Sequence, residues 1–150
     1  MLRCTAQVPA MKPLEDAIER ATGILSADPR VRLVYLFGSA ARPGATEPRD
    51  LDLAISAQPP LALAALLQLQ GRLQEALPGV PVDLVGLDGA PIVLAHEIVE
   101  GGRCLYARSP DDETEWVTRT RMRWFDWLPV RERQWQAGAA RLEERLGPAT

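Results

Sequence analysis

Three aspartates lie in or beside segments that otherwise have the composition of buried strands. Asp50 and Asp52 are two residues apart at the start of the segment 50–55, and Asp83 interrupts the apolar segment 80–87. Residues two apart on a strand point to the same face, roughly 6.5–7 Å apart along the chain. An unpaired carboxylate in an apolar strand is costly, and hard oxygen ligands suit Mg²⁺ or Mn²⁺. We therefore predict that the three aspartates bind metal and are catalytic, provided that the two strands are neighbours.

A second group of candidate residues directly follows the apolar segment 31–37. Gly38 lets the backbone approach a phosphate closely, and Ser39 adds a hydroxyl. A helical turn after them would offer free N–H groups to an anion, and Arg42 can reach the same phosphates. We predict that Gly38, Ser39 and Arg42 bind the nucleotide, while two metal ions activate an attacking oxygen and stabilise the departing pyrophosphate.

Strands and helices that alternate along the chain must position these groups. The predicted strands are 31–37, 50–55, 80–87 and 103–107; the predicted helices run from Pro13 to a stop at Asp28-Pro29, over 61–77 and over 90–100. Residues 1–12 are expected to form a loose arm. This pattern predicts one α/β (α+β) domain with a mixed β-sheet flanked by helices.

A helical arm is predicted at the C-terminal side of this core. Ser109 is a cap, Pro110 suits the first turn, and acidic residues follow at the positive helix end. We expect this helix to run to about Leu128, with Pro129 kinking or restarting it before a second piece ends at Leu146. The domain would thus consist of a core, 1–108, and an arm, 109–150.

Aromatic residues concentrate in that arm. All four tryptophans and Phe125 lie within twenty residues: Trp116, Trp124, Trp127 and Trp135. Some are expected to pin the arm onto the sheet. Aromatic side chains interleaved with arginine are also typical of protein interfaces, and we predict a partner surface here. Stacking on RNA bases is the less favoured alternative, because the net charge of the chain is −3.

Composition restricts the classes of function. The chain has 150 residues, enough for one domain with its own core. An acidic chain is not suited to non-specific nucleic-acid binding, which needs a basic surface. Cys4 and Cys104 are too few for a disulfide framework and are expected to be free thiols. With no signal peptide and no apolar stretch long enough to span a bilayer, we expect a cytoplasmic protein.

The run from Gly38-Ser39, through ten intervening residues, to Asp50-Leu51-Asp52 resembles the signature of the DNA polymerase β-like nucleotidyltransferase superfamily. The wider run, 36–54, is similar to its minimal nucleotidyltransferase (MNT) branch, many members of which are antitoxins paired with a HEPN-domain RNase. The resemblance implies a nucleotidyltransferase fold in which Ser39 contacts the triphosphate. It also implies that Asp50 and Asp52 bind two metals and that Asp83 completes the site.

The sequence departs from that family pattern at two positions. Arg49 stands where a serine often precedes the first aspartate, and Pro43 stands where glycine usually follows the arginine. Neither change removes a metal ligand, so they concern the rate more than the type of reaction. His96, the only histidine, has no cysteine or histidine partner nearby in sequence and is expected to have a surface or structural role.

Together these features predict Mg²⁺-dependent transfer of AMP from ATP to a hydroxyl. By resemblance, the acceptor is a tyrosine of a HEPN toxin. Two alternatives remain open: a non-catalytic antitoxin that acts by binding alone, and an enzyme that modifies a small molecule such as an aminoglycoside. The complete set of acids argues against the first alternative, and the lack of a separate substrate domain argues against the second.

Overall fold

In the part of the chain that the structure describes, four strands and four α-helices follow one another largely as the apolar segments predict. The computed structural model describes residues 12–45 and 49–147, so the predicted N-terminal arm, except Lys12, lies outside the described residues. The strands are β1 (Val31–Phe37), β2 (Leu51–Ala57), β3 (Val82–Gly86) and β4 (Arg103–Ala107); the helices are α1 (Lys12–Ser26), α2 (Leu63–Ala76), α3 (Ile92–Gly101) and α4 (Pro110–Leu146).

The strands form one sheet in the order β3-β2-β1-β4. β1 runs antiparallel to both β2 and β4, whereas β3 runs parallel to β2. Parallel neighbours need a crossover connection, and α2 provides it between β2 and β3. The sheet is therefore mixed, as predicted, and β3 lies beside β2, as the predicted site of three aspartates requires.

Both faces of this sheet are buried, because side chains alternate between the faces along each strand. Val34 and Leu36 of β1 belong to a core that β1 shares with α1 and α2. Leu33 and Tyr35 point the other way, into a second core with Ile98 of α3 and the start of α4. The sheet thus has α1 and α2 on one side and α3 and α4 on the other.

Helix α4 is continuous over 37 residues. It begins as predicted, since the Ser109 hydroxyl accepts a hydrogen bond from the Asp112 N–H at 3.3 Å. It does not restart at Pro129, so the predicted restart is wrong, and the alternative of a kink stays a prediction. Proline removes the N–H that would bond to the Phe125 carbonyl, but Phe125 and Pro129 are both exposed. Water can therefore satisfy that carbonyl, and the helix continues.

Part of the aromatic cluster of the arm holds α4 against its own domain. Trp116 packs on Tyr35 with ring centroids 5.0 Å apart. Trp124 stacks on His96 of α3 at 3.7 Å, with the two rings nearly parallel, and Trp127 packs on Trp124 at 5.1 Å. These contacts give His96 a packing role, in line with the sequence expectation. Trp116 and Trp124 thus join α4 to the rest of the domain, whereas Trp127 packs on a neighbour within α4.

The rest of the aromatic cluster stays in solvent. Phe125 is 69% exposed and Trp135 is 76% exposed. After Leu128, every described residue of the helix except Gly138 is exposed, so the C-terminal half of α4 projects from the domain. Across the ranges that the structure covers, no helix combines the length and the apolarity that a membrane span requires.

Candidate active site

The three aspartates gather at one end of the sheet, where β1 ends and β2 and β3 begin. Asp52 pairs with Phe37 across the β1–β2 ladder and stands beside Asp83 in the β2–β3 ladder. Asp50 immediately precedes β2. The sequence neighbours of Asp52 and Asp83 within the strands are buried against α1 and α2. Alternation therefore places the carboxylates on the other face, on the side of α3 and α4.

Negative charge is crowded around Asp52. Asp50 and Asp83 are exposed, whereas Asp52 is partly buried. Burial raises the pKa of the Asp52 carboxyl above its usual value, and the negative charges of Asp83 and Asp50 raise it further. A carboxylate in such surroundings is stabilised by a proton or by a nearby cation. The electrostatics of the cluster thus favour a positively charged ligand.

Gly38 joins the glycine-serine segment to this acidic cluster. Its backbone has φ +70°, a conformation that side-chain-bearing residues rarely adopt. A Cβ atom at this position would overlap the Asp52 carboxylate oxygen Oδ2. Sequence reasoning assigned Gly38 to phosphate approach alone and missed this second requirement. A glycine directly after a buried strand was the available signal, but the contact with Asp52 depends on the β1–β2 register.

Ser39 and Arg42 lie just beyond this glycine. Residues Gly38–Ala41 form a 3₁₀ turn in which Ala40 is buried and anchors the segment. The Arg42 N–H donates to the Ser39 carbonyl at 3.2 Å. Both side chains are exposed, as are those of Pro43 and Arg49. The structure thus leaves the Ser39 hydroxyl and the Arg42 guanidinium accessible to a ligand that approaches the acidic end of the sheet.

The donor set fits a divalent cation that arrives together with its substrate. Within residues 12–45 and 49–147, no three His, Cys, Asp or Glu side chains are placed to hold a metal ion by themselves. Magnesium commonly takes one or two protein carboxylates and completes its shell with water and substrate phosphates. Asp50 and Asp52 supply that number of hard oxygen donors, with Asp83 next to them. The arrangement therefore suits a metal–triphosphate complex better than a resident ion.

A separate hollow of about 370 Å³ lies at the opposite end of the sheet. It is lined by residues that include Ala57, Asp88 and Trp116, whereas the aspartates lie at the Phe37 end. Its arginines face acids: Arg32 lies 3.9 Å from Asp112, and Arg119 pairs with Glu115. This hollow is therefore not part of the candidate active site.

Comparison with known proteins matches more than half of the chain to one family. The family model described as polymerase beta, nucleotidyltransferase, matches residues 19–111. The chain is 36% identical over 85 residues to the protein adenylyltransferase MntA of Shewanella oneidensis, an alignment that covers 57% of this chain and 60% of MntA. The match therefore spans less than two thirds of that relative.

Solved structures extend the likeness beyond the core. A complex of the tri-AMPylated HEPN toxin of Shewanella oneidensis with its MNT antitoxin contains a chain with TM-score 0.71 and 25% identity; 84% of this chain and 98% of that chain are covered. A toxin–antitoxin structure with AMP-PNP gives TM-score 0.72 and 26% identity, covering 81% and 98%. The coverage of those chains is nearly complete.

Proposed function

Because the chain belongs to the polymerase β nucleotidyltransferase family, we propose that it is a protein adenylyltransferase. It transfers AMP from ATP to a hydroxyl, most specifically a tyrosine of a HEPN-domain toxin that it neutralises. The observation that carries the proposal is the pairing of Asp52 with Asp83 beside Gly38 at one end of the sheet. The MntA relative, named for the same activity, supports it.

The nucleotide is held by the segment that follows β1. The Ser39 hydroxyl and the Arg42 guanidinium bind the triphosphate, and Gly38 lets the backbone come close to it. Their exposure at the acidic end of the sheet supports this role, as does the AMP-PNP complex among the structural neighbours. Two cationic or hydrogen-bonding groups on one turn orient the phosphates for an in-line displacement.

The aspartates carry the chemistry of transfer. The acceptor hydroxyl oxygen attacks the α-phosphorus of ATP. The bond between that phosphorus and the oxygen that bridges to the β-phosphorus breaks, and pyrophosphate leaves. Asp83, exposed at the edge strand β3, accepts the proton of the hydroxyl. Asp50, Asp52 and Asp83 would hold Mg²⁺ or Mn²⁺, which supplies charge stabilisation for the phosphates and the leaving group.

The core, 1–108, and the arm, 109–150, have different roles. The core performs the transfer, and the arm binds the partner. A cytoplasmic location fits an intracellular toxin and substrate. Neutralisation of the toxin by binding alone is the alternative. The exposed apolar side chains of α4 would support a complex with the toxin in either case. Modification of a small molecule has less support, because the fold carries no additional substrate domain within the described residues.

Intact mass spectrometry tests the proposal. The full chain is mixed with the HEPN-domain protein of the same organism, ATP and Mg²⁺, and the HEPN protein is weighed. We expect a gain of one or more AMP units with the wild type and no gain with Asp52→Asn. The matched control is Asp16→Asn, an exposed acid on α1, which should transfer AMP normally.

Two other outcomes would contradict the enzyme. Full transfer by Asp52→Asn would mean that the acidic cluster is structural. Neutralisation of the toxin by both wild type and Asp52→Asn without any change of mass would instead establish the binding-only antitoxin.

A further inference from the structure

Three large apolar side chains form a line along the projecting half of α4. Trp135, Leu142 and Leu146 are 76%, 59% and 77% exposed. Their spacing of seven and four residues places them on one side of a helix. We call these three residues the α4 stripe. Large apolar side chains at this spacing and exposure are typical of a surface that docks another helix.

The α4 stripe continues the side of the helix that packs on its own domain. Leu142 follows Trp124 by about five full helical turns, and Trp124 stacks on His96 of α3. The same side of α4 is thus covered by α3 in its first half and by no described residue in its second half. An element that covered the stripe would lie beside the edge of the domain, in line with α3.

Charges flank the stripe differently on its two sides. Helical spacing places Arg131 and Arg145 on one side and Glu132 and Glu143 on the other. In an antiparallel pair of two copies, equivalent flanks meet. A pair centred near Gly138 would set arginine against arginine and glutamate against glutamate. Like charges therefore oppose antiparallel self-association.

Shape opposes the parallel arrangement of two copies. The side of α4 that would meet the second helix carries the folded domain along its first half. Two packed helices lie only about 8–10 Å apart, which is much less than a sheet with helices on both faces. The two domains would overlap before the stripes could touch. Charge and shape therefore both oppose a second copy of this chain as the occupant of the stripe.

A shallow hollow of about 300 Å³ beside the stripe indicates the chemistry of that chain. It is lined by Gly138, Arg141, Leu142, Glu144 and Arg145. The missing side chain at Gly138 opens the hollow, and two arginines against one glutamate make it positive. An apolar side chain next to a carboxylate fits such a lining, because arginine binds carboxylates through charge-assisted hydrogen bonds.

We infer that the α4 stripe and this hollow hold an amphipathic helix of the partner toxin. Apolar side chains of that helix cover Trp135 and Leu142, and one of its carboxylates pairs with Arg141 or Arg145. The inference rests on the proposed function, which supplies the toxin as the partner, and adds the surface that binds it. Trp135 is the anchor, since a few large aromatic residues carry most of the affinity of an interface.

Affinity measurements with single variants test this surface. The full chain and the HEPN-domain protein of the same organism are titrated by calorimetry, with Trp135→Ala and Arg145→Glu beside the wild type. We expect each variant to raise the Kd by about tenfold or more. Transfer of AMP at saturating toxin and stabilisation by ATP with Mg²⁺ should stay at wild-type levels, because the acidic end of the sheet is unchanged.

Phe125→Ala is the matched control, since Phe125 is an aromatic residue of α4 that is 69% exposed outside the stripe. It should leave the Kd unchanged. Equal affinities for Trp135→Ala, Phe125→Ala and the wild type would overturn the inference while leaving the proposed function intact. A free wild-type dimer that Trp135→Ala converts to a monomer would overturn it in favour of a second copy. Absence of any complex with the wild type would defeat the proposed partner itself.

Discussion

At the scale of single residues, Asp52 shows that the three neighbouring aspartates destabilise the ligand-free fold. Its pKa is raised above the ordinary 3.8 by burial and then by the charges of Asp83 and Asp50. A folded-state pKa above the unfolded value means that the folded state holds its proton longer. Stability of the free protein therefore falls as the pH rises from 3.8 through the raised pKa.

Asp52→Asn removes the carboxylate and with it this fall in stability with pH, so the ligand-free variant should melt slightly above the wild type at neutral pH. The difference should shrink as the pH is lowered. Thermal melts between about pH 4 and pH 7 measure it, with Asp16→Asn as an exposed control. A variant that melted below the wild type throughout would mean that the carboxylate makes a stabilising contact in the folded state.

At the scale of elements, Pro129 weakens α4 at the point where the helix leaves the domain. Proline cannot donate to the Phe125 carbonyl, and a mid-helix proline costs about 3 kcal/mol relative to alanine in model helices. Pro129→Ala should therefore slow amide exchange in the neighbouring turns, as measured by hydrogen–deuterium exchange. Gln136→Ala, which already has its backbone donor, serves as the control and should change exchange little. Unaltered exchange in Pro129→Ala would mean that the proline does not weaken the helix at this point.

The elements that were predicted correctly are those with strong local signals. The strand Val31–Phe37 is rich in β-branched and aromatic residues. The Ser109 cap defines the start of α4. Both signals lie in a few adjacent residues. Whether α4 restarts at Pro129 or passes through it could not be decided from the sequence, because the outcome depends on the exposure of a carbonyl one turn earlier.

The candidate site also combines features that a local sequence pattern predicts with features that depend on tertiary structure. The types and spacing of Asp50 and Asp52 were sufficient to nominate them, and the placement of Asp83 needed only the assumption of neighbouring strands. The contact between Gly38 and Asp52 arises from the antiparallel register of β1 and β2. Register is a tertiary property, so no local pattern contains it. The same is true of the stacking of Trp124 on its partner ring in α3.

At the scale of the whole molecule, nucleotide binding should stabilise the fold. A ligand that binds only the folded state adds RT ln(1 + [L]/Kd), about 2.7 kcal/mol at a concentration of 100 Kd. For a domain of this size that corresponds to a rise in Tm of several degrees. We expect this rise with ATP and Mg²⁺ together and a smaller one with Mg²⁺ alone, because phosphate oxygens complete the metal shell.

Differential scanning fluorimetry measures the shift directly. The double variant Asp50→Asn/Asp52→Asn should lose it, whereas Phe125→Ala should keep it. No shift of the wild type at millimolar ATP and Mg²⁺ would count against the entire candidate site.

The unbroken course of α4 has a geometric consequence for any partner that it holds. Residues 129–146 extend about 27 Å at the helical rise per residue, and no second helix begins within them. On the proposed function, a toxin docked near Leu142 would therefore lie at a distance from the aspartates that the length of this segment sets. Only a hydroxyl that lies at the corresponding reach on that partner can arrive at the phosphorus. On the proposed function, the helix would act as a spacer that selects the acceptor hydroxyl by its position on the partner.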